Sequence, residues 1–356
     1  MVIHPSVKKQ QINKEHSNRK TKRIYIEVLR IIAAFLVIVN HTVNTIFLNI
    51  PISTTWYVSV ACLYISKIAV PIFLMISGAL LLSKRDTPKK YLTRIIRCVI
   101  MIVLFTIINF AYIYRGQDVS FSLFLDSLFG CVTSAYWYLY LYLGILIMLP
   151  ILQKLAQALL KKEMQLFLVI SLVIGGGIPL LTVFTGLAVY PKFLSVLFSP
   201  YLGIMFLGYY IEKYVTITKS KAWVSSLIFS ASILLQVLLT RYLYTLDQNN
   251  FMQLDDCTFL TITLSAACIY MSVKYIFTSI NISPTLCKII SYVGGLTLGI
   301  YLWGDMFIRI LGPMYEHLKS QMYIMVAVLI FQICIYLCGA VCTAVMKLIP
   351  YIKKLL

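Results

Sequence analysis

The sequence predicts an all-α, polytopic membrane protein: a bundle of about ten transmembrane helices with both termini in the cytoplasm. Three observations predict it. Of the 356 residues, 60% are hydrophobic and only 12% are charged, whereas a soluble globular chain carries about 25% charged residues. The apolar residues gather into runs, and ~20 helical residues suffice to cross the hydrocarbon core. The lysines and arginines fall in every second connection between those runs, as they do on the cytoplasmic side of membrane proteins. This composition excludes a water-soluble enzyme, a disordered chain and a disulfide scaffold.

The elements follow from where charges or turn residues interrupt the apolar runs. Residues 1–23 form a basic tail, with seven cations between Lys8 and Arg23. The first helix, 24–48, is too long for the apolar region of a cleavable signal and lacks a small-residue cleavage site. The second, 57–82, stops at Lys84-Arg85, and the third, 95–114, lies between Arg94 and Arg115. The fourth, 135–152, opens on an aromatic cluster and ends before Lys154; the fifth, 164–184, follows Lys161-Lys162. The sixth and seventh, 193–211 and 222–245, are bounded by Lys192, Lys213, Lys221 and Asp247. The eighth, ninth and tenth fall at 257–278, 288–311 and 321–348, so residues 24–348 form one ten-helix domain and 349–356 a short cytoplasmic tail.

Orientation rests on the cations. Twenty-four of the 31 lie in the N-terminal tail, the even-numbered loops and the C-terminal tail. The odd loops hold at most five, Arg115, Lys192, Arg241, Arg309 and Lys319, together with Asp118, Asp247, Asp255 and Asp256. Because the basic residues alternate with apolar blocks, the net charge of +19 points to anionic lipid headgroups and not to nucleic acid. The nine cysteines contain no CxxC. Cys334, Cys338 and Cys342 share one helical stripe that reads as small-residue packing, so no metal site is expected. Cys131 and Cys257 stand near outer loops, where a disulfide is conceivable.

Two cations remain inside apolar helices, Arg30 and Lys67, and His41 joins them. Charges at such depth are costly and usually face the bundle interior. Arg30 and His41 are eleven residues apart, which is three turns plus about 20°, so they share a face with ~16 Å between them. Glu27 and Asn44 flank that stripe. Either Glu27 and Arg30 simply pair near the interface while His41 bonds a carbonyl, or the stripe is a functional seam. By helical rise, His41, Lys67 and Asp305 each stand ~25 Å above the cytoplasmic ends of their helices, and Arg30 stands ~9 Å up, level with Ser77-Gly78. A base, a cation and an acid would then meet toward the outer leaflet. An ammonium there holds an imidazole neutral, as a general base must be, and a carboxylate orients its other nitrogen. Asp305 has a competing partner in Arg309 at i+4, and Lys67 has the option of snorkelling outward. At the mouth of the third helix, Arg94 and Arg97 are placed to grip a polyphosphate. The cluster Tyr136, Trp137, Tyr138, Tyr140 and Tyr142 reads mostly as an interfacial belt, with Trp137 also suited to stacking on a sugar.

Several of these residues resemble acyltransferase family 3, integral-membrane O-acyltransferases of which many modify bacterial surface polysaccharides. The resemblance is carried by Arg30-x10-His41, by Val70-Pro71-Ile72-Phe73-Leu74-Met75-Ile76-Ser77-Gly78, and by Arg94-x-x-Arg97. Trp137-Tyr138-Leu139 leading to Leu149-Pro150, and Gly299-Ile300-Tyr301-Leu302, complete it. It spans about residues 23 to 348 and implies a ten-helix bundle with cytoplasmic termini in the plasma membrane. It implies acyl-CoA, usually acetyl-CoA, as a co-substrate, with no tightly bound cofactor, and a hydroxyl of a cell-envelope glycan or lipid-linked sugar as acceptor. Carried over, His41 matches the essential histidine, Arg30 its paired arginine, and Arg94 and Arg97 the donor-binding pair. Ser77 would join the donor site, Glu27, Lys67 and Asp305 the catalytic set, and Trp137 and Tyr301 the acceptor site. The chain departs from the family after the Ile-Tyr-Leu motif: it reads Trp303-Gly304-Asp305 where members often carry a histidine. The rival readings are a polytopic transporter of a small polar solute or glycan precursor, and a non-catalytic scaffold for envelope assembly.

Overall fold

The computed structural model describes residues 24–43, 46–185, 199–246 and 258–355. The N-terminal tail, residue 44, residues 193–198 of the expected sixth helix, and Cys257 lie outside the described residues. Among the described residues the fold is all helical. Eight helices are long and apolar enough to cross a membrane, or nine if one bent pair is a single span.

The chain opens with α1, Ile24–Val43, and a short turn Phe47–Asn49 leads to α2, Thr54–Lys67. Ser53 caps α2 by accepting from the Trp56 N–H at 3.4 Å, a role suited to a short polar side chain. The second span breaks after Lys67 and resumes as α3, Ala69–Ser77, because Pro71 has no N–H to offer the Lys67 carbonyl one turn earlier. It ends in a π turn, Gly78–Leu82. Next come α4, Pro88–Ile113, with proline at its first turn; a short α5, Phe121–Phe129; and α6, Trp137–Ala158. Then follow α7, Lys161–Leu172, and α8, Ile178–Thr185, joined through a π turn, and α9, Pro200–Tyr214. The remaining helices are α10, Lys219–Leu246, α11, Phe259–Ser279, α12, Pro284–Gly294, α13, Thr297–Ile310, α14, Gly312–Gln321, α15, Ile324–Met346, and a final turn α16, Pro350–Lys353.

Three expectations change. The ninth helix is not straight: α12 and α13 meet at 49° across Gly295-Leu296. The third helix starts seven residues earlier than expected, since Pro88 nucleates a cationic, amphipathic first turn that an apolar-run count misses. The described part of the sixth is the fifteen-residue α9, short of a full crossing at ~1.5 Å per residue.

The first helix is the hub. It packs against α2, α3, α11, α12, α13 and α15, which puts its polar stripe inside the protein, away from lipid. Rows of Leu, Ile and Val on α4, α7, α10 and α15 stay exposed instead, as a lipid-facing surface would. The second span leans closely on α9. A Cβ added to Gly78 would collide with the Met205 carbonyl, and one added to Gly208 with the Met75 backbone. Bare glycines let two helices touch backbone to backbone, the usual means of tight packing in membranes.

Candidate active site

His41 sits in the last turn of α1, half-buried, on the wall of a cavity of ≈ 640 Å³. Its neighbours there include Asn40 from the same turn, Ser66 and Lys67 from the end of α2, Pro71 and Phe73 from α3, Trp137 and Tyr138 from α6, and Tyr301 from α13. Among the described residues the imidazole makes no hydrogen bond or salt bridge. The break before Pro71 delivers Lys67 to the same wall, with its ammonium 5.9 Å from the Tyr64 ring centroid. His41 and Lys67 therefore line the same cavity. Ser66 Oγ donates to the Leu63 carbonyl at 2.6 Å and to Asn40 Oδ1 at 3.2 Å, which ties α2 to α1 beside the histidine.

Asp305 takes the other of its two expected roles. Its carboxylate accepts from Arg309 Nε at 2.9 Å and does not line the cavity. No hydrogen bond joins it to the His41 ring. Tyr301 does line the cavity, but its hydroxyl donates to the Ala135 carbonyl at 2.5 Å. Tyr136 donates in turn to the Leu302 carbonyl at 2.7 Å and accepts from Asn109 Nδ2 at 2.8 Å. These crossed bonds clamp the start of α6 to α13. They also correct the belt reading for Tyr136, which is fully buried, and for Tyr138, which points inward. A tyrosine beside a membrane surface is drawn inside when a carbonyl there needs its proton. Trp137 alone fits both expectations, being 39% exposed and on the cavity rim.

The inner part of the seam lies apart from this cavity. Arg30 Nη1 donates to both carboxylate oxygens of Glu27, at 2.9 and 3.1 Å. Glu27 is pressed by α12, where a Cβ on Gly294 would strike its side chain. Ser77 donates to the Phe73 carbonyl at 2.9 Å and its hydroxyl also meets Tyr138. Tyr138 stacks on Tyr142, centroids 6.2 Å apart and planes at 23°. Neither Arg30, Ser77, Arg94 nor Arg97 lines the cavity of His41. Tyr138 lines that cavity and also meets Ser77 of the inner group.

Asp86 is the residue that the sequence reading missed. Its side chain is 3% exposed, and it pairs with Arg94 and, at 3.6 Å, with Lys90. Gln153 Nε2 bridges from α6 to Asp86 Oδ2 and to the Leu81 carbonyl, both at 3.0 Å. Burial alone would push this carboxyl up, but the hydrogen bonds from Arg94 and Gln153, with the Arg94 and Lys90 charges, hold it below the ordinary carboxylate range. Arg94 is thus fixed by an acid, while Arg97 one turn on is exposed. Asn40, Ser66, Tyr201 and Phe259 were missed at the cavity itself. Asn40 adjoins His41 in an otherwise apolar run, a signal that was available; the two aromatics carry none.

Cys131 is a free thiol, and its conceivable partner lies outside the described residues. No curated protein and no solved structure matches the chain. A family described as "Acyltransferase domain" matches residues 23–346, nearly the full length, and covers every residue of the cavity and of the inner seam. This helical, multi-pass membrane protein belongs to that acyltransferase family.

Proposed function

We propose that the protein moves an acyl group, acetyl in the first instance, from cytoplasmic acyl-CoA to a hydroxyl of a cell-envelope glycan or lipid-linked sugar, with His41 as general base. The observation that carries this reading is His41 on the wall of a substrate-sized cavity, its ring without a hydrogen bond among the described residues. A general base needs a free lone pair within reach of the hydroxyl it deprotonates.

In the proposed reaction the acceptor oxygen attacks the thioester carbonyl as its proton passes to the imidazole. The tetrahedral intermediate collapses, the C–S bond breaks, and the imidazolium returns the proton to the departing thiolate, which leaves as CoA thiol. Arg97 and Arg94 would bind the CoA phosphates, since guanidinium and phosphate match in geometry. Arg30, braced by Glu27, would guide the pantetheine arm along the ~16 Å of helix rise to His41. On that path the arm passes Ser77 and displaces the Tyr138 ring. Direct attack needs one transfer, whereas an acyl-histidine route needs two.

The test follows labelled acetyl from acetyl-CoA into envelope glycans in membranes with verified expression. His41→Ala should slow transfer by about 10²–10⁴-fold, the usual contribution of a general base. Wild-type turnover in that variant would remove His41 from the chemistry. A wild-type protein that consumes no acetyl-CoA would overturn the donor assignment.

A further inference from the structure

The polar side chains of the cavity wall differ in what they have left to offer. The Tyr301 hydroxyl is committed to the Ala135 carbonyl, the Ser66 hydroxyl to the Leu63 carbonyl, and the Tyr138 hydroxyl meets Ser77. Asn40 is different. It follows the wholly apolar run Phe35-Leu36-Val37-Ile38-Val39, stands one residue before His41, and is half-buried on the same wall. Its Oδ1 accepts the second arm of a three-centre bond from Ser66 Oγ, at 3.2 Å. Such shared bonds are common at helix ends, and Ser66 stands one residue before the end of α2. With Oδ1 turned to α2, the other end of the planar amide is Nδ2, which makes no hydrogen bond among the described residues. An amide N–H without an acceptor in apolar surroundings costs free energy. A substrate oxygen in the cavity would supply that acceptor. Acyl transfer offers one, because the carbonyl oxygen under attack carries negative charge in the tetrahedral intermediate and is stabilised by a preplaced N–H.

We infer that Asn40 is a catalytic residue whose Nδ2 donates to the thioester carbonyl oxygen as that atom becomes an oxyanion, beside His41. This rests on the acyl-transfer reading above and adds to it the group that stabilises the intermediate. As the acceptor oxygen bonds to the carbonyl carbon, the C=O π electrons move onto the carbonyl oxygen, where the Asn40 N–H bond strengthens. They return as the C–S bond breaks, and Asn40 neither gains nor loses a proton. An asparagine serving only to tie α1 to α2 would need its carbonyl oxygen and no N–H. Aspartate has that oxygen, has nearly the same shape and cannot donate, so it separates the two roles.

The experiment uses the full chain in membranes that carry its native acceptor, with labelled acetyl-CoA as the donor. Rates are normalised to folded protein and measured over a range of acetyl-CoA concentrations and of pH, and the Tm of each variant is taken in detergent. Asn40→Asp and Asn40→Ala should each lower kcat by about 10²–10³-fold, the usual cost of losing one oxyanion donor. The KM for acetyl-CoA should stay close to wild type, as it does when an interaction made only in the transition state is lost. The loss in Asn40→Asp should persist at alkaline pH, where His41 is neutral even beside a new carboxylate. Ser66→Ala cuts the tie between the helices but leaves the amide in place, and it should cost less than Asn40→Ala. Wild-type kcat in Asn40→Asp, a change in KM alone, or Ser66→Ala reproducing the full loss of Asn40→Ala would overturn the inference. Should Asn40→Asp not accumulate as folded protein, the comparison of Asn40→Ala with Ser66→Ala decides. A wild type that transfers no acetyl overturns the acyl-transfer reading and this assignment with it, whereas an active wild type with active Asn40 variants overturns the assignment alone.

Discussion

Asp86 stands in a loop of six cations, Lys84, Arg85, Lys89, Lys90, Arg94 and Arg97, and its burial under Gln153 and Arg94 makes it the anchor of that loop. Removing its charge would leave Arg94 without its acid and loosen the α3–α4 connection. Asp86→Asn should lower stability by about 1–3 kcal/mol, the scale for hydrogen bonds to charged groups, read as a lower Tm in detergent at neutral pH. The pH dependence has a definite sign. Because the folded carboxyl titrates below its usual 3.8, its contribution is complete above that value and is lost as pH falls through the depressed one. The gap between wild type and Asp86→Asn should therefore close on acidification, and a constant gap would show that the charge is not what matters. Residues like this explain what the sequence left hidden. His41 and Lys67 were legible because polar atoms in an apolar run must be explained. Asp86 was not, because one acid among many loop charges looks solvated until the fold buries it. Tyr136 misled for the converse reason: tyrosines near a helix start suit an interface, and only the Leu302 carbonyl across the bundle reveals otherwise.

Among the elements, the decisive feature is how the second span is interrupted at Ile68 and then pinned. Pro71 marks the break between α2 and α3, but the apolar run was read as one unbroken helix, 57–82, and the partner against which the span leans carries no local signal. That partner is α9, and the contact depends on Gly208 meeting the Met75 backbone without a side chain between them. Gly208→Ala should force the helices apart and cost about 1–3 kcal/mol, the range for overpacking a tight interior. The expected result is a lower Tm together with weaker acyl transfer, since the same span carries Lys67. Gly144, with open space around it, supplies the control: Gly144→Ala should leave both measurements near wild type. The bend between α12 and α13 was half legible. Gly294-Gly295 marks a weak point in a helix, but the 49° angle is set by packing on α1 and α15, which no local pattern encodes.

Taken as a whole, the molecule is built around α1, and that is why a single helix can carry both an arginine pair and a histidine. Apolar runs alone gave the class and nearly all of the spans, because each crossing must bury its own backbone polarity. They could not rank the helices by centrality, since a lipid-facing run and a buried run are equally oily. Orientation rests on the charge count and yields a prediction at this scale. A green fluorescent reporter fused after Lys354 should fluoresce, and alkaline phosphatase at that position should be inactive, with the reverse outcome after Asp118. A reversed pattern would invert the arrangement and place the Arg94 loop on the far side of the membrane from CoA.

The Tyr138 ring has a consequence for variants of this protein. It borders the His41 cavity on one side, and on the other it rests on Tyr142 with Ser77 at its hydroxyl. Trimming it to alanine would widen the cavity toward the inner half of α1, whereas phenylalanine would keep the ring in place and lose only the Ser77 contact.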